Sequence, residues 1–154
     1  QLKQNSTQEK LANLLLQNGV DVILGSHPHV LQPMEKKTIT LEDGTTKDCF
    51  VAYSLGNFMS GQVKDNTKNS VILNMSFTKN GETGKTTIDS VSYVPIYMYR
   101  APAGRPQRYL VLDIEKAIAN YENGTDTSIG KSVYTTIQTE LNKIRKTMGE
   151  NIEF

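Results

Sequence analysis

Five residues, Val20-Asp21-Val22-Ile23-Leu24, constrain this chain most, because they are almost wholly apolar and are bracketed by chain-turning signals on both sides. Asn18-Gly19 precedes them and Gly25-Ser26-His27-Pro28-His29 follows. A run this short and this apolar predicts a strand buried on both faces, as in a parallel sheet covered by helices. Such a strand needs neighbours. The rest of the chain reads as antiparallel, so the parallel partners are expected upstream of Gln1, and the chain is expected to be an excised piece of a longer protein.

Around that strand the pattern resolves into elements. Ser6-Thr7-Gln8-Glu9 has the form of a capping box, with Ser6 accepting from the Glu9 amide, and predicts a helix starting there. Leu11, Leu14 and Leu15 form its expected apolar stripe, and Gly19 its left-handed stop. Residues 38–41 and 49–54 flank Glu42-Asp43-Gly44-Thr45, a hairpin turn signal. A second pair, 70–78 and 86–99, is joined through Lys79-Asn80-Gly81. Pro95, inside the longer strand, predicts an edge position or a bulge. Residues 108–113 read as a further short strand. Two helices follow, 114–123 ended by Gly124 and 128–148, the latter striped by Ile129, Val133, Ile137, Leu141, Ile144 and Met148.

A chain of 154 residues suits one domain, and a net charge of +1 with 21% charged residues argues against a general nucleic-acid binder. No apolar stretch is long enough to cross a bilayer, so membrane contact is expected only through segments outside this chain. The single Cys49 can form no internal disulfide and lies in the strand-like Cys49-Phe50-Val51-Ala52-Tyr53, where a packing role is expected.

Both histidines of the chain flank Pro28. In an extended segment residues i and i+2 point to one side, and Pro28 biases His27 toward extended backbone, so the rings are expected to be aligned and to address one point or two adjacent ones. Neutral imidazole is the commonest metal ligand. Two ligands do not complete a site, since a catalytic zinc normally has three and two-metal sites add carboxylates. Hydrogen-bonded loop histidines are the alternative reading.

Residues 19–33, Gly-Val-Asp-Val-Ile-Leu-Gly-Ser-His-Pro-His-Val-Leu-Gln-Pro, followed after a hairpin by Tyr53-Ser54-Leu55-Gly56-Asn57-Phe58, resemble the bacterial capsule and poly-γ-glutamate biosynthesis proteins of the CapA type. Those proteins are similar to the calcineurin-like metallophosphoesterases. The resemblance implies an α/β fold with α+β character here: the carboxyl-terminal part of a metallophosphoesterase-like β-sandwich flanked by helices, its strands largely antiparallel. Residues 1–112 would be the carboxyl-terminal half of that domain and 113–154 a helical extension. It also implies a two-metal site holding a divalent pair (Mn, Zn or Fe) in the full-length protein, with His27 and His29 as ligands and His27 catalytic. Ser26 stands where the wider superfamily usually has glycine. The Asp-x-His, Gly-Asp and Asn-His elements of that superfamily have no counterpart here, so the chain alone is expected to bind metal weakly or not at all and to hydrolyse nothing. By the same resemblance the protein is extracytoplasmic and associated with the cell envelope.

Three further groups are weighed beside the histidines. Ser26, Gly56 and Asn57 could meet phosphate or another anion, against a plain turn with Gly56 at positive φ and Asn57 bonded locally. Arg100, Arg105 and Arg108, in a loop stiffened by Pro102 and Pro106, would suit a polyanion, against an ordinary solvated loop. Glu35 could support the histidine loop, against simple exposure. The expected ligand is an anionic polymer or a phosphoester, and the missing upstream half is an expected partner, with self-association expected of the chain in its absence. A non-catalytic polymer-assembly subunit with a vestigial metal site is the competing reading, and a free-standing carbohydrate- or peptide-binding β module a third.

Overall fold

The computed structural model describes residues 1–104, 109–125 and 128–154. It is a mixed α/β fold in the order α1 (Ser6–Gln17), β1 (Val22–Leu24), β2 (Leu31–Thr40), β3 (Thr46–Leu55), β4 (Asn69–Lys79), β5 (Thr86–Arg100), β6 (Tyr109–Asp113), α2 (Ile114–Glu122), α3 (Lys131–Met148) and β7 (Ile152–Glu153). Two sheets form. The first has the order β1-β3-β2; the second has the order β4-β5-β6, with β7 also on β5.

The first sheet corrects the expectation about parallel neighbours. β1 pairs in parallel with β3 of this same chain, Val22 opposite Phe50 and Leu24 opposite Ala52, while β2 and β3 form the expected antiparallel hairpin. The sequence pattern of residues 49–54 makes the partnership legible in retrospect: all six are buried, as a central strand covered on both faces requires. Phe50 and Ala52 face the main core, whereas Cys49, Val51 and Tyr53 face α1. β1 keeps an open edge, because β3 occupies only one of its sides.

Helix α1 starts one residue earlier than its capping pattern suggested. Asn5 is the N-cap, accepting from the Gln8 amide at 2.9 Å, while the Gln8 side chain returns to the Asn5 amide at 3.0 Å. Asn5-Gln8 and Ser6-Glu9 offer the same reciprocal pair in adjacent registers, and Asn is at least as good a cap as Ser. The apolar stripe is also corrected. Ala12 and Leu16 are the buried residues, packed on Cys49, Val51 and Tyr53, whereas Leu11, Leu14 and Leu15 are exposed.

The second sheet follows the sequence closely. β4 and β5 pair along their whole length with one bulge at Ser76/Phe77, and the Asn80 carboxamide oxygen accepts from the amides of Glu82 and Thr83 at the turn. Pro95 lies on a central strand, not an edge. It is tolerated because β7 pairs with residues 90 and 91 and β6 begins at Ile96, so that side of β5 is locally unpaired at position 95.

The carboxyl-terminal helices complete the main core. Ile129, Ile137, Leu141, Ile144 and Met148 are buried as the stripe requires, with Val133 half-buried against them. They share one cluster with Leu31, Met34 and Phe50 of the first sheet and Val71, Val91 and Tyr97 of the second. No helix among the described residues is long and apolar enough to cross a membrane.

Candidate functional site at the His-Pro-His loop

β1 and β2 run in opposite directions beside and beyond β3, so residues 25–30 must reverse the chain within six residues. Gly25 starts the reversal against the end of β3: its amide donates to the Ala52 carbonyl at 2.7 Å, and its carbonyl accepts from Leu55 at 3.2 Å. A Cβ at Gly25 would run into the Tyr53 carbonyl oxygen. The reversal then puts two non-glycine residues in left-handed conformations, His27 at φ 107° and His29 at φ 56°. The histidines therefore do not ride on one extended segment, which corrects the aligned-ring expectation; Pro28 sits between two positive-φ residues. Each such conformation costs on the order of 1–3 kcal/mol and persists only where the surroundings impose it.

The second motif holds one of these rings. His29 Nδ1 lies 3.3 Å from the Asn57 side-chain oxygen. Asn57 is buried, and its amide nitrogen donates to the Thr67 carbonyl at 2.8 Å, which fixes the carboxamide with its oxygen toward His29. An oxygen acceptor requires a proton on Nδ1, so in the neutral ring Nε2 is left with its lone pair. That is how a second residue sets the tautomer of a histidine whose other nitrogen serves as ligand or base. His27 is exposed and has no hydrogen bond among the described residues, and Ser26 beside it is exposed as well.

Gly56 and Asn57 are themselves framed by a segment that the motifs did not reveal. Gly56, at φ 82°, forms an isolated antiparallel bridge with Ser70, and its amide donates to Ser54 Oγ at 3.3 Å. The Asn57 amide donates to the Asn69 carbonyl at 3.2 Å, and Ser70 Oγ to the Leu55 carbonyl at 2.5 Å. Both backbone amides and the Asn57 side chain are thus engaged inside the chain. What this turn supplies is the orientation of His29. The signal was present in Thr67-Lys68-Asn69-Ser70, a polar run entering a strand, three of whose four members are buried. Asn69 also donates to Glu140 of α3 at 2.6 Å, while its own side-chain oxygen is buried without a partner among the described residues.

The remaining sequence-derived residues lie elsewhere. Glu35 accepts from Tyr53 Oη at 2.8 Å and pairs with Lys37 at 3.2 Å, on the α1 side of the sheet, and burial with that carboxylate pushes the Tyr53 hydroxyl pKa up. Arg100 is exposed at the end of β5 with its guanidinium 5.9 Å from the Tyr109 ring centre, and Arg105 and Arg108 lie outside the described residues. Cys49 is fully buried and desolvation raises its thiol pKa, in keeping with packing. Among the described residues no group of three or more His, Cys, Asp or Glu side chains is placed to hold a metal ion. The donor set that this chain brings to the loop is therefore two imidazoles, too few for a two-metal centre.

Replacing Asn57 with alanine tests the tautomer argument. The Asn57→Ala chain is expected to move His29 from the Nδ1–H form toward the Nε2–H form in long-range nitrogen–proton NMR spectra. It is also expected to lose about 1–3 kcal/mol of stability through the orphaned Thr67 carbonyl. An unchanged His29 spectrum would show that another group sets the proton's place.

With the geometry in hand, the relatives are informative. Residues 1–62 match the family model described as bacterial capsule synthesis protein PGA_cap. The chain is 36% identical over 87 residues to the PGA biosynthesis protein CapA of Bacillus subtilis (strain 168), an alignment covering 56% of this chain and 20% of that protein. It is 35% identical over 79 residues to the capsule biosynthesis protein CapA of Bacillus anthracis, covering 51% and 17% respectively. The matched segment thus spans a fifth or less of each curated relative. No solved structure matches the chain.

Proposed function

We propose that this chain, a CapA-type capsule biosynthesis protein over the part that the family match covers, contributes one corner of a metal-dependent phosphoester site whose other ligands lie outside it. The observation that carries the reading is the meeting of the two motifs: His29, in a left-handed conformation, is held through Nδ1 by a buried Asn57 that is itself locked to Thr67. A loop histidine with no task beyond solvation needs neither the backbone strain nor the fixed tautomer. Nε2 of His29 and the exposed ring of His27 would be the two ligands. A bound divalent pair would supply a lowered water pKa and a clamp on the attacking and leaving oxygens. The protein would act at the cell envelope in capsule or poly-γ-glutamate biosynthesis, on an anionic polymer or a phosphoester.

The test compares this chain with the whole native gene product. Calorimetry with manganese or zinc is expected to give no binding tighter than micromolar for this chain. The whole protein is expected to bind submicromolar metal, to hydrolyse a generic phosphate monoester, and to lose both by at least tenfold in the His29→Ala variant. Metal binding without hydrolysis would move the function to non-catalytic handling of the polymer, and hydrolysis indifferent to His29 would remove this loop from the catalytic site.

A further inference from the structure

A cleft of about 450 Å³ lies where four separated segments meet: the residues ahead of α1, the start of β2, the segment leading into β4 and the last turns of α3. That volume is in the range of small-molecule sites. Its wall is mainly apolar and includes the buried Leu31 and Ile144 and the half-buried Pro33. Lys3, Lys143 and Lys146 also line it, against one carboxylate, Asp65, among the described residues. Glu140 takes up Lys143 at 2.7 Å. Lys3 and Lys146 are exposed and have no ion pair among the described residues.

Asn69 is the group in this wall that most needs a ligand. It is only 4% exposed, and its side-chain nitrogen is engaged by Glu140 at 2.6 Å. Its side-chain oxygen is buried with no partner among the described residues. The frame of His29 does not use that oxygen, since it takes only the Asn69 backbone carbonyl. An acceptor buried and left unpaired is costly, and a donor brought by a ligand would relieve it. The donor must be neutral. Glu140 holds the Asn69 carboxamide and the Lys143 ammonium together, so a cationic donor would meet like charge.

We propose that this cleft binds an amphipathic anion of the N-acyl amino acid class. The acyl chain lies on Leu31, Pro33 and Ile144, the amide N–H donates to the Asn69 side-chain oxygen, and the carboxylates meet the ammonium groups of Lys3 and Lys146. An amide is the neutral donor that joins an apolar chain directly to a carboxylate-bearing carbon, which is the order in which the wall presents its demands. The site is distinct from the histidine loop and shares with it only the segment leading into β4, whose Thr67 carbonyl receives the Asn57 side chain.

Calorimetry with N-octanoyl-L-aspartate as the probe tests the proposal, in this chain and in the whole native gene product. Submillimolar binding is expected in both. It is expected to weaken at least tenfold for O-octanoyl-L-malate, in which an ester oxygen replaces the N–H, because a site built around a donor rejects the analogue lacking it. N-acetyl-L-aspartate, without the long chain, is expected to bind at least tenfold more weakly as well. A Lys3→Ala, Lys146→Ala double variant is expected to lose at least tenfold, whereas Lys85→Ala, which removes an exposed lysine outside the cleft, stays within twofold. Asn69→Ala is expected to bring amide and ester to the same affinity; should that variant fail to fold by circular dichroism, the amide–ester comparison in the unaltered chain decides alone. Equal affinities for amide and ester in the unaltered chain, or no binding at millimolar probe, would overturn the proposal. So would an amide preference that persists in a folded Asn69→Ala chain, or binding that is absent from the whole gene product. None of these readouts involves metal or hydrolysis, so their failure leaves the phosphoester reading standing, and its failure leaves the cleft.

Discussion

Phe50→Ala is expected to lower the stability of this chain by about 3–5 kcal/mol, the usual cost of emptying an aromatic site in a core. Phe50 is fully buried at the middle strand of the first sheet, opposite Val22 on one side and Lys36 on the other. Its ring belongs to the cluster that also contains Leu31, Ile137 and Ile144, so the cavity would open where the sheet meets the carboxyl-terminal helices. The walls there are backbone-paired strands and a regular helix, which can close around a void only partially. A domain of this size has on the order of 5–15 kcal/mol to lose, so the variant should be a large part of the way to unfolding. Urea denaturation followed by circular dichroism would measure it, with Leu14→Ala as a control expected to move stability by no more than about 0.5 kcal/mol because Leu14 is exposed. A loss below about 1.5 kcal/mol would mean that the first sheet and the helices do not share a core in solution.

The contrast between Phe50 and Leu14 also marks where sequence pattern was a sufficient guide. In α3, which begins at Lys131 and not at 128, the stripe from Val133 to Met148 found its place, with Ile129 buried just ahead of the helix, because an 18-residue helix with one wide apolar face has a single way to lie on a core. In the 12-residue α1 two apolar flanks compete. Leucines outweigh Ala12 in any reading of hydrophobicity, yet Ala12 and Leu16 face the sheet, since a helix crossing close above Cys49, Val51 and Tyr53 is better served by a small residue at the contact. The leucine stripe was real, and it describes a surface that this chain leaves uncovered.

Local signals of turn chemistry were likewise legible, and their tertiary consequences were not. Asp43-Gly44 and Asn80-Gly81 announced hairpins by their own residues. The parallel pairing of β1 with β3 joins strands separated in the chain by β2 and the loops on either side of it, and nothing in either strand specifies the partner beyond the double burial of 49–54. For the site, the two motifs were visible as motifs, whereas the reversal that twists His27 and His29 into left-handed backbone follows from strand directions that only the fold supplies. The buried frame of Thr67, Asn69 and Ser70 was missed for a related reason: polar residues at a strand entrance read as loop until the fold places Asn57 against them.

Gly56 is the point at which that frame and the fold depend on one residue, and Gly56→Ala is expected to cost about 2–4 kcal/mol, combining a left-handed alanine with a backbone collision. The two contributions can be separated within this chain. Gly44 has the same φ of 82°, but a Cβ there meets nothing within 4 Å, whereas a Cβ at Gly56 would run into the carbonyl oxygen of Asn69. Gly44→Ala should therefore report the conformational part alone, about 1 kcal/mol. The difference between the variants is the cost of pushing Asn69 away. That displacement has a chemical consequence, because the Asn69 carbonyl receives the Asn57 amide and Asn57 holds His29. Gly56→Ala should accordingly shift the His29 tautomer in the NMR spectrum as Asn57→Ala does, while Gly44→Ala leaves it untouched. Equal losses of stability in the two glycine variants, with an unmoved His29 signal in both, would show that the close approach of Gly56 to Asn69 neither shapes the turn nor positions the histidine.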